Sequence, residues 1–257
     1  MVLGRPPDRA GGAGPEERCH QEDPAGGQDS SVRVRRTGRG ARAGSGPGDL
    51  PPGGIPTVVQ TSAVPTIRIA QDPEADALLG RDPLALLLGM LLDQQFPMER
   101  AFAGPALLAQ RLGTDTLSAA AIADTDPETL KAAFAGPPAV HRYPGSMAER
   151  TQAVCRLLVE RHDGRAEQLW ADVPDGATLL RRIGELPGFG AQKAKILVAL
   201  LGKQYGVTPP GWREAAGDYG ADGARRSVAD VVDPTSLAEV RAFKQEAKAA
   251  AKAKKTS

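Results

Sequence analysis

The residues best suited to chemistry lie in the stretch 186–195, which reads Leu-Pro-Gly-Phe-Gly-Ala-Gln-Lys-Ala-Lys. Gly188 and Gly190 are of the residue type that accepts a positive φ and lets another backbone approach closely. Gly190 also leads into the first turn of a predicted helix, where unpaired N–H groups and the positive dipole end attract anions. Lys193 and Lys195 follow these amides directly in the sequence, so the stretch predicts a binding site for a phosphate group.

Two amphipathic runs flank this stretch. Upstream, apolar residues at 179, 180, 183 and 186 follow a helical period. Downstream, residues 194–201 continue at the same period until Gly202, which we expect to end the helix. The sequence therefore predicts two helices joined by a tight hairpin. Because any helical hairpin can use Pro and Gly in its turn, an ordinary connection without a ligand stays open.

Composition restricts the class of protein. The 257 residues include 32 basic and 31 acidic side chains, so any basic footprint for nucleic acid must be local. Cys19 and Cys155 are the two cysteines, and their separation supports neither a disulfide framework nor a four-thiolate cluster. No apolar run reaches membrane-spanning length, so we expect no membrane partner. Few aromatic residues and many Ala and Leu favour an all-α core.

The chain divides by composition into three segments. Residues 1–62 are rich in Gly, Pro and Arg without periodicity, which predicts a disordered arm. Residues 65–235 carry the helix signals and form the predicted domain. Residues 236–257 predict an exposed basic helix and tail, with lysines at 244, 248 and 252 on one stripe. Such a stripe either contacts the DNA backbone without reading sequence or simply keeps the chain soluble.

A buried helix is predicted over residues 84–92, where every side of the helix would be apolar. Asp82 before Pro83 has the residue types of an N-cap and a first helical position. The helix is expected to end in a polar turn, Asp-Gln-Gln at 93–95.

Two expectations concern the region before the hairpin. Ser146 and Glu149 have the spacing of a capping box, which predicts a long helix from 147 to about 162. His141 and His162 are of a residue type that titrates near neutral pH and could have a functional role, but both are expected at the surface.

Together these segments resemble the HhH-GPD superfamily of base-excision DNA glycosylases, which includes endonuclease III and the adenine glycosylases. The helix–hairpin–helix (HhH) of that family reads Leu-Pro-Gly-hydrophobic-Gly, which residues 186–190 match at every position. The resemblance extends from about residue 83 to 207. It implies an all-α, helix–hairpin–helix DNA glycosylase-like bundle that binds double-stranded DNA. It also implies a monomer in the cytoplasm, associated with the bacterial nucleoid.

The resemblance assigns roles to particular residues. In the family, a glutamine after the first core helix fills the gap left by an extruded base, and Gln95 is the best match. Its amide can enter the base stack and hydrogen-bond the orphaned base, although an ordinary polar helix end is the alternative. The full set of implied DNA-binding residues is Gln95, Gly188, Phe189, Gly190, Gln192, Lys193 and Lys195. No metal or iron–sulfur cluster is implied, but a monovalent cation at the hairpin is.

One departure concerns the lysine nucleophile of the bifunctional family members. Gln192 holds its position, and Lys193 lies about 100° further round the helix. We therefore expect Lys193 to point elsewhere, at phosphate, and the sequence does not support Schiff-base lyase chemistry.

The second departure concerns the catalytic aspartate of the family. Its counterpart segment here, residues 207–212, contains no acid, and the nearest carboxylates are Glu214 and Asp218. Either could stabilise the positive charge that develops when an N-glycosidic bond breaks, or both could be solvated loop acids. Three functions follow as hypotheses: a monofunctional DNA glycosylase, a catalytically inactive binder of damaged or bent DNA, and a hairpin that binds a protein partner.

Overall fold

The computed structural model describes residues 65–256, and the predicted arm over 1–62 lies outside the described residues. Over the described range the fold consists of α-helices and short 3-10 turns, without a strand. The expectation of an all-α fold is confirmed. No helix in this range is both long and apolar enough to cross a membrane.

Ten α-helices follow one another between residues 73 and 256. They are α1 Pro73–Arg81, α2 Pro83–Leu92, α3 Met98–Leu112, α4 Ala119–Asp124, α5 Pro127–Ala135, α6 Pro144–His162, α7 Gly176–Gly184, α8 Ala191–Gln204, α9 Trp212–Ala216 and α10 Pro234–Thr256. Several begin as local chemistry dictates. Asp72, Asp82 and Asp126 each accept backbone N–H groups through the side chain, and each precedes a proline at the first helical position.

Helix α2 is the centre of the first half of the fold. All its residues from Leu84 to Leu92 are buried, as the sequence predicted. It packs against α1, α3 and α6. At Gly89 the packing is so close that an added Cβ would lie 2.8 Å from the Phe102 ring of α3. A side chain at Gly89 would therefore push the two helices apart.

Helices α7, α8 and α9 form the second half and pack against one another. Trp212 of α9 is buried over Gly202, where an added Cβ would lie 2.3 Å from the indole ring. The expectation that Gly202 ends α8 was wrong, because the helix continues to Gln204. Gly202 is needed for close packing of the indole and not for a helix stop.

Helix α6 begins earlier than predicted. Its first residue is Pro144, after Tyr143 as N-cap, and no side chain caps its N-terminus. The prediction of a capping box at Ser146 and Glu149 was therefore wrong. Proline is favourable at a first helical position, since its φ suits the helix and its missing N–H is not needed there. Glu149 instead pairs with Lys131 of α5 at 3.1 Å.

Helix α10 docks on the fold by its first turns. Leu237 and Val240 are buried, whereas the residues from 241 to 250 are exposed apart from the half-buried Lys244. The predicted basic stripe thus lies on a helix that is attached at its start and exposed further on.

The indole contact gives a first test of the packing. The substitution Gly202→Ala should lower the free energy of unfolding by about 1–3 kcal/mol, since a methyl group cannot fit beneath Trp212. The matched control is Gly145→Ala in α6, where an added Cβ meets no atom within 4 Å. There we expect no loss of stability, and a gain of up to about 1 kcal/mol. Urea denaturation measures both, and equal effects would contradict the packing.

Candidate nucleic-acid interface

The predicted hairpin is present between α7 and α8. Gly188 has φ +84°, a left-handed conformation that favours glycine. Gly190 is the N-cap of α8, and no side chain caps that helix end. Both glycines are exposed, and an added Cβ at Gly190 would meet nothing within 4 Å. The space in front of the start of α8 is therefore open.

The amides at this bend are largely without acceptors. Phe189 donates to the carbonyl oxygen of Leu186 at 3.1 Å, but the amides of Gly188 and Gly190 bond to no other described residue. Residues 191–193 form the first turn of α8, and the N–H groups of a first helical turn have no acceptor within the helix. Several N–H groups and the positive dipole end therefore converge on one exposed bend, a geometry suited to an anion.

The side chains predicted to bind DNA divide into two groups. Gln192 and Lys195 are exposed, and the Gln192 amide donates to the Tyr219 hydroxyl at 2.9 Å. The Phe189 side chain is buried in the core and therefore does not face a ligand. Lys193 is half-buried and points inward, so the expectation that it faces phosphate was wrong.

Lys193 connects the hairpin to the end of α2. Its Nζ donates to the carbonyl oxygen of Leu91 at 2.8 Å. The backbone of Gly188 also lies against Leu91, since an added Cβ would be 2.9 Å from its Cδ1. The fold thus brings the turn that bears Gln95 next to the hairpin, although the two lie far apart in the sequence.

Gln95 itself is exposed in this turn. Its φ is +54°, which places a residue other than glycine in the left-handed region. Such a conformation costs free energy and persists only where surrounding contacts hold it, often at functional sites.

His141 is one of the contacts that hold the turn. It is fully buried, so the expectation of a surface histidine was wrong. Its Nδ1 accepts from the Tyr143 amide at 3.1 Å, and its Nε2 lies 3.1 Å from the carbonyl oxygen of Gln94. Nδ1 must therefore be unprotonated and Nε2 must donate, which makes the ring neutral. Burial lowers its pKa and favours this neutral form.

A cavity of about 630 Å³ lies beside the start of α8, between that helix, residues 216–219 and α10. Gln192 and the aromatic side chains of Tyr219 and Phe243 line it. Three cations and one carboxylate also face it: Lys195, Arg226, Lys244 and Asp218. The net charge of the side chains that line the cavity is positive, although the net charge of the whole chain is close to zero.

The two predicted catalytic carboxylates lie in different surroundings. Asp218 lines this cavity, but its side chain is 78% exposed and pairs with Arg226 at 2.8 Å. Glu214 is exposed on α9 and does not line the cavity. Of the two, only Asp218 shares a cavity with Gln192.

The sequence reasoning missed a third carboxylate, Asp93, at the start of the turn. Its side chain is only 11% exposed, and Lys244 of α10 lies 3.6 Å away. No motif marks it, because it is simply the residue after a buried helix. It was identifiable only as the acid adjoining the Gln-bearing turn.

The electrostatics of Lys193 follow from its position. Burial lowers the pKa of its amine to about 8, and Arg150 adds to the effect, while Asp93 opposes it. A partly buried lysine with such a pKa, between the hairpin and the end of α2, is a candidate for a functional role.

Residues 65–256 contain no cluster of three or more His, Cys, Asp or Glu side chains placed to hold a metal. The monovalent cation at the hairpin stays a prediction. Comparisons with protein-family models, curated proteins and solved structures gave no match. The function must therefore be inferred from the residues and geometry of the chain itself.

The shifted pKa of Lys193 has a consequence for stability. The unfolded chain keeps the ordinary pKa of 10.5, so between about pH 8 and 10.5 it binds a proton that the folded chain lacks. The free energy of unfolding, relative to a Lys193→Met variant, should therefore rise across this range by about 3 kcal/mol. Urea denaturation at several pH values measures the difference. A flat difference would show that the amine titrates as an exposed lysine.

Proposed function

We propose that the protein is a DNA-binding base-excision repair protein. The observation that carries the proposal is the exposed, uncapped start of α8 at Gly190, next to the turn that presents Gln95. The hairpin amides would bind a backbone phosphate, and Gln95 would enter the base stack of the duplex. Helix amides that bind phosphate and an amide side chain that replaces a base are both established physical modes of recognition.

The charge distribution supports this proposal. Lys195, Arg226 and Lys244 face one cavity beside the hairpin, within a chain whose formal net charge is only +1. Cations gathered at one site release counterions from DNA, and their effect is local. The same cavity offers Tyr219 and Phe243, whose rings could stack on an unpaired base.

For the chemistry we propose a monofunctional glycosylase-like activity on damaged or mismatched bases. It is favoured by Asp218, which shares the cavity with Gln192 and could stabilise developing positive charge on the sugar. A lyase step through a Schiff base is not proposed, since Gln192 stands where the family nucleophile would be.

A second candidate is a catalytically inactive binder of damaged or bent DNA. The observation that favours it is the exposed Asp218, whose charge is shared with Arg226 at 2.8 Å. A solvated, paired carboxylate is a weak electrostatic catalyst, because water and the cation screen it.

The substitution Gly190→Asp separates folding from binding. Aspartate is at least as good an N-cap as glycine, so stability should be unchanged or higher. Its carboxylate would nevertheless occupy the bend where phosphate is proposed to bind. Duplex affinity, measured by fluorescence anisotropy at fixed salt, should fall by roughly tenfold or more, by charge repulsion at the helix end.

The matched control for that variant is Ala120→Asp, which adds the same charge to the exposed first turn of α4. Its duplex affinity should stay close to that of the wild type. Unchanged affinity in Gly190→Asp would remove the hairpin from DNA recognition and favour a protein partner for it.

Base release from a panel of damaged duplexes tests the chemistry. The wild type should release free base from at least one of them, and Asp218→Asn should slow single-turnover release by roughly 100-fold. Glu214→Gln loses the same charge outside the cavity and should release base at the wild-type rate. Tight wild-type binding without base release would instead establish the inactive binder.

A further inference from the structure

The turn of residues 93–95 is held by three side-chain donors, two from the loop before α6 and one from α6 itself. His141 binds the carbonyl oxygen of Gln94, and Arg150 of α6 binds the side-chain oxygen of the same residue. Arg142 donates to the carbonyl oxygen of Gln95 at 3.5 Å. A left-handed Gln95 is maintained by this network, because the conformation is unfavourable for an unsupported residue.

Lys193 differs from the other donors because it belongs to the hairpin. It stands in the first turn of α8, three residues after the proposed phosphate-binding Gly190, and its amine donates to Leu91 near the end of α2. The same side chain lies 5.7 Å from the centre of the buried Phe189 ring. Lys193 is therefore packed between the two elements rather than free to sample solvent.

The position carries an electrostatic cost that packing alone would not require. A methionine or leucine would fill the same space without a charge to desolvate. The charge is retained at the point where the positive end of α8 approaches the negative end of α2, and there it meets the near-buried Asp93. A retained, partly buried charge between two proposed ligand-binding elements favours a role in linking them.

We propose that Lys193 is a positioning residue that ties the phosphate-binding hairpin to the turn bearing Gln95, so that strand capture and insertion of Gln95 occur as one event. The proposal rests on the proposed function for its ligand. A phosphate bound at Gly190 would pull the start of α8 toward the strand. Lys193 would transmit this movement of the helix to Leu91, and so to the turn that bears Gln95. Without this tie, the hairpin would bind the strand while the turn moved independently.

The test separates capture from insertion on a duplex with a tetrahydrofuran abasic analogue opposite 2-aminopurine. Anisotropy reports binding, and 2-aminopurine fluorescence at saturating protein reports insertion. In Lys193→Met, the duplex should still be bound to saturation, because the hairpin amides remain, and the affinity should fall by no more than the insertion equilibrium does. The equilibrium for insertion should fall by roughly tenfold or more, the effect of losing one charge-assisted hydrogen bond.

Lys195→Met is the matched control, with the same charge loss two residues further along α8. Lys195 is exposed and faces the cavity. Its loss should weaken binding and reduce the salt slope by about 1, with the insertion signal intact at saturation. The proposal is overturned if Lys193→Met behaves in the same way as this control.

A pH profile adds a readout that a purely structural role would not change. The wild-type insertion signal should decline as pH passes about 8 and Lys193 loses its proton, whereas Lys193→Met should show no such step. The charged groups that act on the amine are Asp93, which lies 3.6 Å from Lys244, and Arg150. His141 is also close to the amine, but burial lowers its pKa, so it stays neutral across this range. A wild-type signal that does not change across this range contradicts the proposal.

Failure of the proposed function can be distinguished from failure of the tie. If the wild type binds no duplex, hydrogen exchange in the free protein decides. The amides of Asp93 and Gln94 donate to Gly89 and Leu92 at 3.1 and 2.7 Å. Lys193→Met should speed their exchange by roughly tenfold, and Lys195→Met should not. Equal exchange rates of these amides in all three proteins would show that Lys193 does not link the hairpin to the turn, whatever the ligand is.

Discussion

The structure depends on the meeting of two helix ends that carry opposite partial charges. The C-terminal end of α2, at Leu91, faces the N-terminal end of α8, and the Lys193 amine joins them at 2.8 Å. Because α2 is buried on all sides, its end is held by packing as well as by this hydrogen bond. The hairpin is thus joined to the end of a buried helix, and its free amides are left exposed at the bend.

The position of the charged side chains matters more in this protein than their net sum. Basic and acidic side chains nearly cancel over the chain. Around the start of α10, however, cations face the cavity and the turn, and several are held by carboxylates of the fold itself. Arg226 pairs with Asp218, Lys244 lies near Asp93, and Arg241 pairs with Glu99. A phosphate backbone would compete with these carboxylates, so binding should be sensitive to salt.

Local chemistry made much of the fold predictable. Asp82 before Pro83 caps a helix as expected, and Asp72 and Asp126 cap helices in the same way, since capping depends on a few neighbouring atoms. The burial of α2 and the hairpin between α7 and α8 followed from periodicity and glycine. The predictions that were wrong depended on tertiary contacts. Gly202 packs against the Trp212 ring, and His141 hydrogen-bonds the carbonyl oxygen of Gln94. Neither partner is close in the sequence.

The candidate site shows the same division. Gly188, Gly190, Gln192 and Lys195 are exposed at the bend, and their role in binding DNA stays a prediction. The direction of Lys193 could not be read from the sequence, because half a helical turn decides between solvent and the end of α2. Asp93 was missed for a related reason, since its near burial arises from α10, which lies far along the chain.

The central claim is that the amides at the hairpin bind the phosphate of a DNA strand. Amide chemical shifts, followed by NMR while a short duplex is titrated into isotope-labelled protein, test it most directly. The account predicts that the largest shifts fall on Gly188, Gly190 and the first turn of α8, because hydrogen bonding to phosphate deshields an amide proton. Shifts confined to α10, with those amides unmoved at saturation, would contradict it.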